Sequence, residues 1–270
     1  MMPPQGVVSR SPLRYPGGKT RARSIIVPEL LKQGARQLIS PFIGGGSVEL
    51  AWLNANPSGF AACYDAYAPL VEFWRHLLIN PQGVATLAQM HLPCSRELFY
   101  ELQRKLDSLA GIEQAAAFYV LNRASFSGAT NSGGMSPGHK RFTKSSIDRV
   151  RGFRAPWLTV RRRDAFELLA GMLDESPDGK VVYLDPPYAI EGAALYGDKG
   201  STHRGFNHAL LAALFNELSL KGWRMVLSYN DCESVRSLYN ASRIEAAQWS
   251  YGMRQGASSE VLIYSGACLK

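Results

Sequence analysis

From Arg36 onward the chain alternates short apolar runs with longer amphipathic ones: QLISPF, a GGGS turn, VELAWLNA, GFAACYD and AYAPLVEFWRHLL. The short runs, rich in branched and aromatic side chains, predict strands; the longer ones, with apolar residues at helical spacing, predict helices. A strand-helix-strand-helix order places successive strands parallel, with the connecting helices packed on the faces of the sheet. The alternation stops over residues 81 to about 156, where helix-like RELFYELQRKLDSL and EQAAAFYVLNRASF precede the polar, Gly-rich SGATNSGGMSPGHKRFT, which has no clear periodicity. It resumes with LTVRRR, AFELLAGML, VVYLDPP, HALLAALFNELSL and RMVLSYN, then closes on RIEAAQWSY and SEVLIYSG with no helix between them. The expected fold class is α/β: a mostly parallel sheet with helices on both faces, an antiparallel edge hairpin and an insertion. No internal repeat is evident.

Length and composition narrow the function classes. A chain of 270 residues, 46% apolar and 19% charged, holds one large domain or a core with an insertion, and is neither disordered, collagen-like nor a disulfide scaffold. No apolar run is long enough for a membrane helix, and MMPPQGVVSRSP lacks the apolar stretch of a signal peptide, so a soluble cytoplasmic protein is expected. Cys63, Cys94, Cys232 and Cys268 are scattered without C-x-x-C spacing, which suits a reducing compartment, and the five histidines show no metal-ligand spacing, so no metal is expected. The formal charge of +8 is uneven. Residues 140–163 hold nine bases against Asp148 alone, residues 10–23 add five bases and no acid, and the remainder carries 16 bases against 21 acids. Concentrated basic segments on a mildly acidic body suit a polyanion, whose counterions are released on contact; the alternative is a solvated charged face.

Three motifs could carry chemistry. In Pro41-Phe42-Ile43-Gly44-Gly45-Gly46-Ser47 a strand ends in a glycine turn that opens a helix, where backbone can approach a ligand closely and the helix N-terminus favours negative charge. It is not a dinucleotide fingerprint, because Glu49 stands where the third glycine would be. Asp65, directly after the second strand, can accept both hydroxyls of a ribose or can cap the next helix. Leu13-Arg14-Tyr15-Pro16-Gly17-Gly18-Lys19-Thr20 ends like a phosphate-binding loop but has Leu13 where that loop needs glycine, so it reads as a glycine turn before a helix starting near Thr20. The third motif, Val181-Val182-Tyr183-Leu184-Asp185-Pro186-Pro187-Tyr188, is the sharpest. Consecutive prolines donate no amide hydrogens and stiffen the backbone before them. Asp185 and the Pro186 carbonyl can therefore face a cleft as fixed acceptors, with the Tyr188 ring nearby, an arrangement suited to a planar group bearing an amine.

These motifs, in this order over nearly the whole chain, resemble the Dam-like DNA adenine N6-methyltransferases, which use S-adenosylmethionine. RYPGGK resembles the family's N-terminal cofactor motif, PFIGGGS its glycine loop, YDAY its ribose-binding acid, LNRASFSG its recognition segment, RRRDAFELL its adenine-pocket turn and LDPPY its catalytic motif. The resemblance implies a Rossmann-like S-adenosylmethionine-dependent methyltransferase fold, with residues 1–74 and 157–270 as catalytic domain and 75–156 as a mainly helical target-recognition insertion. It implies Asp185, Pro186, Pro187 and Tyr188 as catalytic residues. Tyr15, Lys19, Asp65 and Asp185 would contact the cofactor, with Phe42, Gly44 and Gly46 shaping its pocket and Asp164 near its adenine. Arg14, Arg123, Phe126 and the Gly-rich loop with Asn131 would contact double-stranded DNA; Lys140, Arg141 and Lys144, from the basic run, are expected to add phosphate contacts, and a monomer or weak dimer is expected. Members that read GATC have an arginine after N-G-L-C; here the chain reads S-G-A-T-Asn131, and Ser127 stands where they have asparagine, so a target other than GATC is expected. An RNA base-amine methyltransferase and a non-enzymatic nucleic-acid-binding protein are the alternatives.

Overall fold

A computed structural model describes residues 7–130, 133–136, 141–188, 205–250 and 257–267. Its centre is a seven-stranded sheet of β1 (Gln37–Ser40), β2 (Phe60–Asp65), β3 (Leu158–Arg162), β4 (Lys180–Leu184), β5 (Met225–Asn230), β6 (Ser242–Ser250) and β7 (Ala257–Ala267), in the order β3-β2-β1-β4-β5-β7-β6. The first five named in that order are parallel, with Ile39 beside both Ala62 and Val182, and Leu184 beside Leu227. β7 runs antiparallel to β5 and to β6, so the expected hairpin forms, with its second strand inserted between β5 and β6. The direction of the sheet turns at β1 and β4, whose connections leave to opposite sides; ligands of open α/β sheets bind in the crevice at such a point.

Strand periodicity decides what each face buries. Leu38, Cys63, Val181, Tyr183 and Val226 point to one side, where α1 (Arg23–Lys32), α2 (Ser47–Ala55) and α3 (Ala68–Ile79) pack. Their neighbours Ile39, Val182, Leu184 and Leu227 point to the other, under α8 (Ala165–Met172), α9 (His208–Leu220) and α10 (Glu233–Leu238). Both faces are thus covered, which is why the parallel strands read as nearly continuous apolar runs. Among the described residues no helix is long and apolar enough to cross a membrane.

Between β2 and β3 the chain adds α4 (Pro81–Met90), α5 (Arg96–Lys105), α6 (Gly111–Ala124) and α7 (Lys144–Arg151) after α3. Every residue of α6 from Gln114 to Ala124 is buried, as a helix apolar all round must be, and it packs along α3. The rings of Phe73 and Tyr119 stack with centroids 5.8 Å apart and planes within 7°, and Phe118 lies 5.7 Å from Phe73. The inserted helices therefore share one continuous core with a face of the sheet. Periodicity alone missed α4, α7 and α10. α7 lies within the basic run: Thr143 and Ser146 form a reciprocal capping box, Ile147 and Val150 turn inward, and Lys144 and Arg149 face water.

Because Phe73 joins the insertion to the sheet, replacing Phe73 by Ala is expected to cost about 3–5 kcal/mol of unfolding free energy. A urea titration checks this, and a cost well under that range would mean that the two parts do not share a core.

Candidate active site

The site is assembled at the carboxyl ends of β1, β2, β4 and β5. β1 passes through Phe42 into the glycine turn, where Gly44 (φ 45°) and Gly46 (φ 65°) adopt left-handed conformations and Gly46 caps α2. A Cβ at Gly44 would lie 2.9 Å from the Tyr15 ring, and one at Gly46 would lie 2.8 Å from Trp74, so both positions are closed to larger residues. The Trp74 indole donates to the Gly44 carbonyl at 3.0 Å and pins the turn from below. Asp65, at the end of β2, accepts from the Gly44 amide at 3.2 Å and from the Tyr67 amide at 3.0 Å. It holds the glycine turn as much as it starts the next helix, and burial pushes its carboxyl up to about 6.

Asp185 leaves β4 into the same cleft. Its Oδ1 accepts from Lys19 Nζ at 2.6 Å and from Ser228 Oγ, on β5, at 3.0 Å. Lys19 is 3% exposed, so the ion pair is nearly dry on its side and carries the R-Y-P-G-G-K loop onto the end of β4. Both of these bonds fall on Oδ1, and among the described residues Oδ2 is left as an acceptor. The Lys19 ammonium also lies 4.7 Å from the centre of the Tyr188 ring, whose hydroxyl donates to the buried Glu260 carboxylate. Tyr229 lies 5.9 Å from Tyr188 at a 31° tilt. Tyr15, Lys19, Phe42, Gly44, Asp65 and Asp185 line one open cavity. The cleft thus joins the glycine turn to Asp185 without a break.

Asp164 stands apart from that cavity. It caps α8, accepting from the amides of Phe166 at 2.8 Å and Glu167 at 3.2 Å, and is exposed just beyond the end of β3. Glu49, in contrast, lines the cavity although the sequence marked it only as a missing glycine. It is 2% exposed and accepts from Ser40 Oγ at 2.6 Å; burial, reinforced by the nearby Asp185, pushes its carboxyl up to about 7. The available signal was an acid inside V-E-L-A-W-L, an otherwise apolar helix start.

A second, wider groove adjoins the cavity through Tyr15, Pro16 and Gly18 and is lined by Arg10, Arg14, Arg23 and Arg141. Asn122, fully buried, clamps the Arg14 backbone: its Oδ1 accepts from Arg14 N at 3.0 Å, and its Nδ2 donates to Arg14 O at 2.6 Å and Gly128 O at 3.1 Å. Phe126 is 61% exposed beside it, and Arg141 and Lys144 face solvent. Arg123, expected to contact DNA, is turned inward in this structure. It is 9% exposed, and its Nε and Nη2 donate to the Arg141 carbonyl at 3.0 and 2.8 Å, so it holds the Arg141 backbone from inside. Burial, and to a lesser degree the neighbouring Arg141 and Arg123 charges, lower the affinity of Arg14 for its proton. Asn131 and Lys140 lie outside the described residues.

A family model described as "D12 class N6 adenine-specific DNA methyltransferase" matches residues 15–253. The chain is 24% identical over 263 residues to a DNA N-6-adenine-methyltransferase of Escherichia phage P1, covering 88% of this chain and 32% of that protein. It therefore spans about a third of the length of that relative. It is 25% identical over 262 residues to the type II methyltransferase M1.LlaDCHI of Lactococcus lactis subsp. cremoris, covering 87% of each. Among solved structures, a precorrin-6y C5,15-methyltransferase from Geobacter metallireducens superposes at a TM-score of 0.39 with 11% identity, covering 90% of this chain and 86% of that one, too distant to bear on the fold.

The junction of groove and cavity gives a paired prediction. Gly128 (φ 78°) leaves 2.1 Å between a would-be Cβ and the Arg14 carbonyl oxygen, whereas Gly179 (φ 67°) has nothing within 4 Å. Gly179→Ala is expected to cost only left-handed strain, about 1–2 kcal/mol. Gly128→Ala should cost clearly more in the same denaturant titration; equal costs would show that the Arg14 loop moves aside freely.

Proposed function

The chain belongs to the D12 class of N6 adenine-specific DNA methyltransferases, and on that footing we propose that its cleft transfers a methyl group from S-adenosylmethionine to N6 of an adenine flipped out of duplex DNA. The observation that carries this reading is the position of Asp185: one carboxylate oxygen fixed by Lys19 and Ser228, beside a stiff Pro-Pro segment, in the cavity that also holds the glycine turn and Asp65.

The donor set fits that cofactor. The Asp65 carboxylate can accept ribose hydroxyls; Gly44 and Gly46 thin the wall of the pocket, and Tyr15 and Phe42 offer apolar faces. Lys19 would favour a carboxylate, and Asp185 a positive charge. Bound there, S-adenosylmethionine supplies an electrophilic methyl group on a sulfonium. Asp164, exposed outside that cavity, would meet the cofactor's adenine only beyond the cavity's mouth.

The chain's own work is placement. The N6 lone pair of adenine is delocalised into the ring, and an aspartate is too weak a base to deprotonate the amine beforehand. Asp185 and the Pro186 carbonyl instead accept hydrogen bonds from the two N6 hydrogens, drawing the nitrogen toward tetrahedral geometry and aiming its lone pair. The proton leaves after transfer, when the nitrogen is cationic and strongly acidic. Pro187 stiffens the acceptor pair, and Tyr188, its ring fixed by Glu260 and Lys19, stacks on the extruded base. Unstacking costs a few kcal/mol, of which base–aromatic stacking returns roughly 1–3.

The arginine-lined groove and the exposed Arg141 and Lys144 take the phosphate backbone, offsetting the remainder. Residues 1–74 and 157–270 serve as the catalytic part and 75–156 as the recognition part, with Phe126 and the segment around Ser127 against the bases. Without an arginine at Asn131 the target differs from GATC. The setting is the cytoplasm of a bacterial or phage-infected cell.

Asp185→Ala is expected to abolish methyl transfer to duplex DNA, measured with tritiated S-adenosylmethionine, while DNA affinity stays close to wild type; substantial residual turnover would overturn the acceptor role. Truncating Arg141 and Lys144 together should weaken binding to all sequences alike and lower the salt slope by about one per residue. A changed sequence preference instead would show that these side chains read bases.

A further inference from the structure

Glu49 takes no part in the placement described above. It is the third residue of α2, among buried Val48, Leu50, Trp52 and Leu53, at a place where an apolar side chain would pack at no electrostatic cost. Burying a carboxyl there is expensive unless something answers its charge. The groups that face it do so only in part. Ser40, from β1, donates one hydrogen bond at 2.6 Å, and the Val48 and Glu49 amides in the first turn of α2 point toward it. Asp185, from the end of β4, opposes its ionisation, while Cys63 on β2 and Tyr183 on β4 are both made harder to ionise by it. Among the described residues no cationic side chain lies within salt-bridge distance of Glu49, and the cleft's lysine is drawn to Asp185. Glu49 nevertheless lines the cavity, together with Asp65 and Asp185.

We propose that Glu49 is a further cofactor-binding residue, the charge partner of the cationic half of S-adenosylmethionine, and that it lets the cleft distinguish the methyl donor from its demethylated product. This rests on the reading of the cleft as the cofactor site. Glu49 lines the same cavity as Asp65 and Asp185 and senses the Asp185 charge, so a ligand held between those two acids would carry its sulfonium within range of the Glu49 carboxyl. Loss of the methyl group converts the sulfonium to a neutral thioether, removing the charge that Glu49 answers. Retention of donor and release of product would follow from the same electrostatic difference.

The sign of the linkage is determined by burial. In the free cleft the Glu49 carboxyl titrates near 7. An arriving cation favours the ionised form, so binding the donor near neutral pH expels a proton, and donor affinity falls as pH drops through that range. The neutral-sulfur product should show this less. Asp65 also releases protons when it accepts ribose hydroxyls, but it does so for both ligands and so cancels in the comparison.

Isothermal titration calorimetry on the full chain, in phosphate and in Tris at pH 7, measures affinity and proton release together for S-adenosylmethionine and S-adenosylhomocysteine. The wild type should release a larger proton fraction with the donor than with the product. Glu49→Gln, which keeps an acceptor for Ser40, should lose that excess and lower the donor-over-product preference by about tenfold, the scale of one partly screened charge interaction. An unchanged preference and unchanged proton release in Glu49→Gln overturn the inference. If that variant does not fold, the wild type decides alone: a donor-over-product ratio that declines from pH 8 to pH 6 supports the role, and a flat ratio overturns it. A wild type that binds neither ligand would overturn the reading of the cleft itself.

Discussion

The 2.6 Å ion pair between Lys19 and Asp185 holds the site together. The partners are 166 residues apart in sequence, one on the R-Y-P-G-G-K loop and the other at the end of β4. Buried pairs of this kind add little net stability, because desolvation offsets the Coulomb attraction, but removing one partner strands a charge. The pair is better understood as a geometric device. By drawing the loop down, it lays the Tyr15 ring against Gly44 and Gly45, places the Lys19 charge over Tyr188, and uses up one oxygen of Asp185 so that the other is available.

On either side of that loop the electrostatics change sign. The cavity behind it holds Glu49, Asp65 and Asp185 against Lys19, whereas the groove in front is lined by Arg10, Arg14, Arg23 and Arg141. The two share Tyr15, Pro16 and Gly18 as a common wall. On the proposed reading, a cationic methyl donor and a polyanionic substrate would be attracted to opposite faces of one short segment. Asn122 makes the arrangement rigid, since the side chain that clamps the Arg14 backbone also bonds Gly128 of the neighbouring surface.

Much of this was legible in the sequence because local physics dictates it. Short apolar runs identified the strands, the glycine turn announced a close backbone approach, and Asp185-Pro186-Pro187 followed an unmistakable buried strand. What could not be read were the long-range consequences. Alternation predicts parallel strands but not that β4 lies beside β1, which is what brings Asp185 next to the glycine turn. The resemblance assigned Arg123 to DNA, and the sequence does not disclose its burial; only the fold shows the Arg141 carbonyl that it bonds. α7 was hidden because four of its eight residues are charged, leaving too few apolar positions to reveal a period. Glu49 was overlooked because an acid in an apolar helix start normally marks a solvated turn, and its significance depends on which strand ends converge on it.

The central claim is that the acceptors at the end of β4 grip an exocyclic amine of adenine in DNA. Its most direct test is to incubate the protein with methyl-labelled S-adenosylmethionine and mixed-sequence duplex DNA or structured RNA, then digest each polymer and identify the labelled nucleoside by mass spectrometry. Label confined to N6-methyldeoxyadenosine from the duplex is the predicted result. Label in a cytosine or guanine derivative, or in RNA in preference to DNA, would contradict it.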